Sequence, residues 1–104
     1  MHYDEILARR GQSCTLEYLT AQPGLEPADA ASLAEVSERV ASAAFEQFSL
    51  LFRVPQPGAA RQGTYAVAFA DGVNWEMFLV PVRREGADVL YEACFNREAA
   101  IGVA

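Results

Sequence analysis

The clearest signal in the chain is a two-residue alternation of apolar and small or polar side chains that starts near residue 45. Phe48, Leu50, Phe52 and Val54 alternate with Ser49, Leu51 and Arg53, which predicts a strand with one strongly apolar face. Pro55-Gln56-Pro57-Gly58 ends it, because proline cannot donate to a ladder. Tyr65, Val67 and Phe69 then alternate with Ala66, Ala68 and Ala70, and Gly58 and Gly63 read as turn glycines. Asp71-Gly72 has the composition of a two-residue type I′ hairpin turn. Val73 to Val82 is the expected return strand. A loop from Arg83 to Asp88, containing Gly86, leads to a last strand from Val89 to Asn96.

The first half of the chain is less regular. Tyr3 to Arg10 reads as a short helix, with Asp4 and Glu5 in its first turn, Arg9 and Arg10 in its last, and Gly11 as the stop. Cys14, Leu16 and Tyr18 then alternate with Thr15, Glu17 and Leu19 as a first strand, which Gln22-Pro23-Gly24 ends. The stretch from Ala28 to Ala44 supports two readings. Its Ala, Glu and Arg content and the spacing of Leu33, Val36, Val40 and Ala44 favour helix. Pairing in a sheet would make Ser32 to Val36 a strand instead.

A two-residue turn at Asp71-Gly72 fixes a register, and with it the faces of the sheet. It sets Ala70 opposite Val73, Ala68 opposite Trp75, Ala66 opposite Met77 and Tyr65 opposite Phe78. Tyr65, Val67, Phe69, Phe78, Val80 and Val82 then share the core face with Val89, Tyr91, Ala93 and Phe95, and Glu76 is a misfit on it. The opposite face carries Ala66, Ala68, Trp75, Met77, Leu79, Leu90 and Cys94, with Glu92 as its main charge. So apolar a face calls for a cover. The N-terminal half can supply it by closing a sandwich or barrel. Alternatively Trp75, Met77, Leu79 and Leu90 form a patch for a protein partner or a second copy of the chain. A third use of the same strands is a ligand cavity lined by Tyr65, Phe69, Phe78, Tyr91 and Phe95.

Composition narrows the chemistry. The 104 residues fit one domain, spanning 1–104, and a hydrophobic fraction of 52% supplies a core. Eight basic against fourteen acidic residues give a net charge of −6, which repels phosphate, so neither nucleic acid nor an anionic membrane is an expected partner. With no apolar run long enough for a membrane span and no export-type leader, the expected location is cytoplasmic. Cys14 and Cys94 are then expected as free thiols, although a pairing between them is left open. His2 is the only histidine, which removes most histidine acid–base chemistry and the usual nucleophilic triads. His2 and the two cysteines have no metal-ligand spacing, and neither a P-loop nor a dinucleotide fingerprint is present. No catalytic residue, cofactor or metal is therefore expected, and a thiol enzyme using Cys94 or Cys14 is the remaining enzymatic reading.

Four ordered blocks add a resemblance. They are Phe48-Ser49-Leu50-Leu51-Phe52, Gln62-Gly63-Thr64-Tyr65, Phe78-Leu79-Val80-Pro81-Val82 and Tyr91-Glu92-Ala93-Cys94-Phe95-Asn96. Together they resemble a family of small uncharacterised bacterial proteins carried as a domain of unknown function and loosely associated with genes for phage-tail-like or tail-collar proteins. The resemblance implies a chain of about a hundred residues that is mostly β, and it carries over no catalytic residue. It tips the stretch around Leu33 to Val36 toward strand.

The expected fold is mainly β, with five or six antiparallel strands in a small barrel or sandwich and a short N-terminal helix. The alternative is an α+β domain with a helix at about 28–44. The expected role is a non-enzymatic accessory or protein-interaction domain, with a small-ligand-binding barrel and a thiol enzyme as the alternatives.

Overall fold

A computed structural model of the protein describes residues 2–20, 28–42, 44–57 and 59–98, with the backbone alone for residue 98. The proposed stop at Gln22-Pro23-Gly24, and Gly58, lie outside the described residues. A five-residue helix α1 (Tyr3–Leu7) is followed by seven strands: β1 (Ser13–Tyr18), β2 (Asp29–Val36), β3 (Val40–Ala41), β4 (Phe45–Pro55), β5 (Gly63–Phe69), β6 (Asn74–Glu85) and β7 (Asp88–Glu98). The expected mainly-β fold is what forms. The sheet order is β2-β1-β5-β6-β7-β4-β3, and an additional β2–β4 ladder closes six of the strands into an antiparallel barrel. The short β3 pairs with β4 outside the closed ring.

Within the 28–44 stretch, Asp29–Val36 and Val40–Ala41 are strands despite its alanine content. Ladders to β1 and to β4 satisfy both edges of β2, and tertiary pairing of this kind outweighs helix propensity. Ala34 is an extra residue between the Leu33–Phe52 and Glu35–Leu51 pairs, a bulge that bends β2 around the barrel. The helix is shorter than expected: it ends at Leu7, so Arg9 and Arg10 fall beyond it.

The hairpin turn corrects the expected register by one residue. The Gly72 N–H donates to the Phe69 carbonyl at 3.0 Å and the Phe69 N–H to the Val73 carbonyl at 2.9 Å. The loop is therefore the three residues Ala70, Asp71 and Gly72, with Gly72 at φ 90° in the left-handed region that glycine reaches without strain. Asp71 is held from outside the hairpin. Arg9 donates to its two carboxylate oxygens at 3.1 and 2.7 Å while lying 4.7 Å over the Phe69 ring.

One residue of slip reverses a whole strand face. Tyr65 now pairs with Met77, Val67 with Trp75 and Ala66 with Glu76. Trp75, Met77 and Leu79 point into the barrel with Tyr65, Val67 and Phe69, whereas Phe78 and Val82 face solvent. Glu76 ceases to be a misfit, since it too is exposed. The β7 assignment stands as expected, with Val89, Tyr91 and Ala93 buried and Phe95 packed against the core. The interior is completed by Leu16, Leu33, Leu50, Phe52 and Val54 from three further strands and by Ile6 of α1, all at most 2% exposed.

The second hairpin is tighter than expected. Strand β6 continues to Glu85, which pairs with Asp88 around the two residues Gly86 and Ala87. Pro81 is tolerated inside β6 because the β5 ladder has already stopped at Gly63–Leu79, so its missing N–H falls where no partner waits. Gly63 is a buried strand residue rather than a turn glycine. A Cβ there would lie 2.6 Å from the Tyr18 ring and collide with the Thr20 hydroxyl, so only glycine lets β5 approach.

The register makes a measurable distinction between neighbours in β6. Leu79→Ala is expected to cost about 2–5 kcal/mol of stability in urea denaturation, as for other fully buried leucines. Phe78→Ala, at 55% exposure, should cost less than about 1 kcal/mol.

Candidate functional site

The residues singled out from the sequence are divided by the fold. Of the partner-patch candidates, Met77 and Leu79 are core and Trp75 is half-buried with its ring edge-on to Phe69 at 4.9 Å. Leu90 faces outward but is buried at the outer surface. Its ladder partners Arg53 and Arg83 flank it, and Arg53 bridges Glu85 at 2.6 Å and Asp88 at 3.1 Å, laying its stem along the sheet. These four residues do not form a common surface. Of the cavity candidates, Tyr65, Phe69 and Tyr91 are buried in the barrel, with the Tyr65 and Tyr91 rings packed edge to face at 5.8 Å. Phe95 is half-buried and Phe78 stands on the outer wall, so the five do not surround one space.

The cysteines are separate and free. Cys14 is buried in β1, while Cys94 is exposed on β7, two strands away from any neighbour of β1. Burial pushes the Cys14 thiol up to about 11. The Cys94 thiol is also raised, first by its partial desolvation and then by the Glu92 carboxylate, to which its S–H donates at 3.4 Å. Both shifts work against a thiolate, the form a nucleophilic cysteine needs. Among the described residues there is no group of three or more His, Cys, Asp or Glu side chains able to hold a metal ion.

What the sequence reading did not find is a ribbon that leaves the barrel. The β4–β7 ladder runs unbroken from Pro55–Asp88 to Phe45–Glu98, whereas β6 leaves β7 at the Val80–Glu92 pair. Beyond that point β3, β4 and β7 form a three-stranded extension. Its inner face packs Phe48 against Phe95, stacked at 4.9 Å and 19°, and against Tyr3 of α1 at 5.1 Å. Beside these rings lies Glu46, only 3% exposed, which accepts from Arg97 at 2.7 Å and from Arg39 at 3.2 Å. Arg97 lies 5.1 Å over the Phe48 ring and Arg39 lies 5.9 Å over the Tyr3 ring. One carboxylate thus ties the link between β2 and β3, the start of β4 and the end of β7.

The outer face of the same ribbon is open. Val40 is 66% and Phe45 54% exposed. Two adjoining hollows of about 640 and 390 Å³ share Val40, Gln47 and Asn96 as lining. Ser49 and Cys94 extend the larger one and Phe45 the smaller. Gln47 and Asn96 are ladder partners, as are Ser49 and Cys94, so these four uncharged polar side chains form a strip beside the apolar shoulders, and Glu38 also lines the larger hollow. An alternation signal at residues 45–49 was legible in the sequence. That the β7 edge beyond Glu92 would be left without a β6 partner depends on where β6 departs.

Two measurements follow from these groups. The Glu46 carboxyl is held below the ordinary carboxylate range, chiefly by its hydrogen bond from Arg97, against an opposing desolvation, with Arg39 adding to the depression. Its contribution is fully present above the unfolded-state value of about 4.3 and is lost as the pH falls through the lower folded value. Wild type should therefore exceed Glu46→Gln in urea stability at neutral pH, with the difference shrinking below about pH 4. For the thiols, iodoacetamide should label Cys94 faster than Cys14, and Glu92→Gln should speed the Cys94 reaction at a fixed neutral pH.

No curated protein and no solved structure matches the chain. Residues 1–95 match the family DUF6916, described as a domain of unknown function, a span that takes in the barrel strands, α1 and the ribbon as far as Phe95. The chain belongs to the DUF6916 family.

Proposed function

We propose that this domain is a non-enzymatic protein-interaction module that engages its partner through the outer face of the β3–β4–β7 ribbon. The observation that carries the reading is the pair of exposed apolar side chains, Val40 and Phe45, set around a hollow floored by Gln47, Ser49, Cys94 and Asn96. Apolar shoulders around a polar strip, with Glu38 also lining the larger hollow, suit a protein surface: the shoulders gain from desolvation while the amides and hydroxyl fix orientation. The chemistry nearby supports binding over turnover. The nearest thiol is raised rather than lowered, and the nearest buried carboxylate is neutralised by two arginines. The resemblance in the strand blocks suggests a component of a phage-tail-like assembly as the class of partner.

A photo-crosslinking benzoylphenylalanine placed at Phe45 is expected to trap a discrete protein adduct in cells of the native host. The same probe at Val82, equally exposed on the barrel wall, should not. Val40→Asp should abolish the adduct at position 45 while leaving the circular dichroism of the domain unchanged. Identical adduct patterns at 45 and 82 would overturn the reading.

A further inference from the structure

We propose that the ribbon takes its partner by strand addition: an extended, lysine- or arginine-bearing segment of another protein pairs antiparallel with the free edge of β7 at Cys94 and Asn96. The inference rests on the ribbon as the interaction surface and gives the form of the partner.

The edge follows from the direction of the backbone groups. Antiparallel ladders alternate residue by residue between groups that face a neighbour and groups that face away. The Gln56 N–H donates to the Ala87 carbonyl at 3.2 Å, and the β4–β7 ladder runs on from there without a register shift. Tyr91, Ala93 and Phe95 therefore direct their N–H and C=O toward β4, while Glu92, Cys94 and Asn96 direct theirs away. In the β5–β6 hairpin the Phe69 N–H bonds the Val73 carbonyl. The same count turns Trp75, Met77 and Leu79 toward β5, and Glu76 and Phe78 away from it. Strands β6 and β7 meet at Val80–Glu92 and pair no further in this direction. They form a fork, with the outward groups of Glu76 and Phe78 on one side and those of Cys94 and Asn96 on the other. Neither set has a ladder partner among the described residues, and all four side chains are exposed.

An unpaired edge recognises extended backbone. Proteins usually blunt such edges with lysine, proline or a bulge. None interrupts β7 between Ala93 and Asn96, and the chain contains no lysine. A guest strand antiparallel to β7 takes over the direction of β6 and supplies the pairs that β6 leaves unmade. Its last ladder residue faces Cys94. There the partner chain ends or turns outward, so it does not meet the Val80–Glu92 pair. The guest residue facing Phe95 falls on the inner face, beside the half-buried Phe95 ring and its stack with Phe48, a place for an apolar side chain. The guest residues on either side of it fall on the outer face. Glu92 lies on that face of β7 and Glu76 across the fork on β6, and neither carboxylate has a cationic partner among the described residues. Arg97 of β7 is held to Glu46 on the inner face instead. A basic guest side chain therefore matches the charge of the fork and can lay its methylene stem along Phe78, which is 55% exposed.

NMR titration of the isotope-labelled full chain tests this. The probe is the capped peptide acetyl-Val-Thr-Lys-Phe-Lys-amide, whose phenylalanine is placed to face Phe95 and whose last lysine is placed to face Cys94. At millimolar peptide the amide signals of Cys94 and Asn96 are expected to shift most, and the shifts should shrink as salt is raised. The analogue N-methylated at both lysines lacks the two N–H groups aimed at β7 and should produce no shift. The peptide with glutamate in place of both lysines should produce none either. Glu76→Lys, on the far side of the fork, should weaken binding of the lysine peptide severalfold, and Asn96→Pro should abolish the Cys94 shift, each with unchanged circular dichroism. No shift at millimolar peptide, or shifts that survive N-methylation, would overturn the proposal. So would Cys94 and Asn96 amides that resist hydrogen exchange in the free chain as well as those of Ala93 and Phe95. Movement of the same two signals on concentrating the chain alone would assign the edge to a second copy and overturn it equally. If it falls while the Phe45 probe still traps a partner, the interaction reading stands without strand addition.

Discussion

The ladder between β2 and β4 is the constraint on which the rest of the structure depends. Without it the chain would be an open sheet with β2 at one margin. With it, β2 is paired on both sides, and six strands enclose a common interior. Closure demands curvature, and the chain supplies it at Ala34, where one extra residue bends β2 between its pairs with Phe52 and Leu51. The cost of a closed ring is that every inward position must be filled. The aromatic and branched side chains of β4, β5, β6 and β7 do so, with Ile6 of α1 adding a buried side chain from outside the strands.

Closure also explains where interaction capacity survives. Barrel strands have few unpaired backbone groups to offer, so the outer wall can only present side chains. The ribbon is different because β4 and β7 outlast β6, and their shared ladder continues to Phe45–Glu98. The extension cannot use the barrel core for support. It substitutes a local arrangement of Tyr3, Phe48 and Phe95 rings with Glu46 held between Arg39 and Arg97. A nearly inaccessible carboxylate is tolerable there because two guanidinium groups repay its lost hydration. The surface that results is stiffened from within and open on its outer side.

The one-residue error in register shows where sequence reasoning runs out. Asp71-Gly72 is compatible with a two-residue turn and with a three-residue turn that ends in a left-handed glycine. The local residues do not decide between them. In the folded chain Asp71 receives both nitrogens of Arg9, which is 62 residues earlier, and the three-residue loop is the one that forms. That choice moved Trp75, Met77 and Leu79 inside and Phe78 outside, and dissolved the surface patch expected from the two-residue register.

By itself, the amino-acid sequence determined the strand-rich second half, the strand positions of β4, β5 and β7, and which face of each is apolar, because period-two alternation is a local property. It determined that the chain carries a single histidine and two cysteines far apart in sequence, which are matters of composition. The tertiary structure alone decided the register of β6, the closure through β2 and the point at which β6 parts from β7, and it settled as strand the residues 29–36 that composition had left open. Each of these depends on contacts between residues far apart in the chain, such as Arg9 with Asp71 or Leu33 with Phe52, and an alternating pattern is satisfied equally well by either partner alignment until such contacts select one.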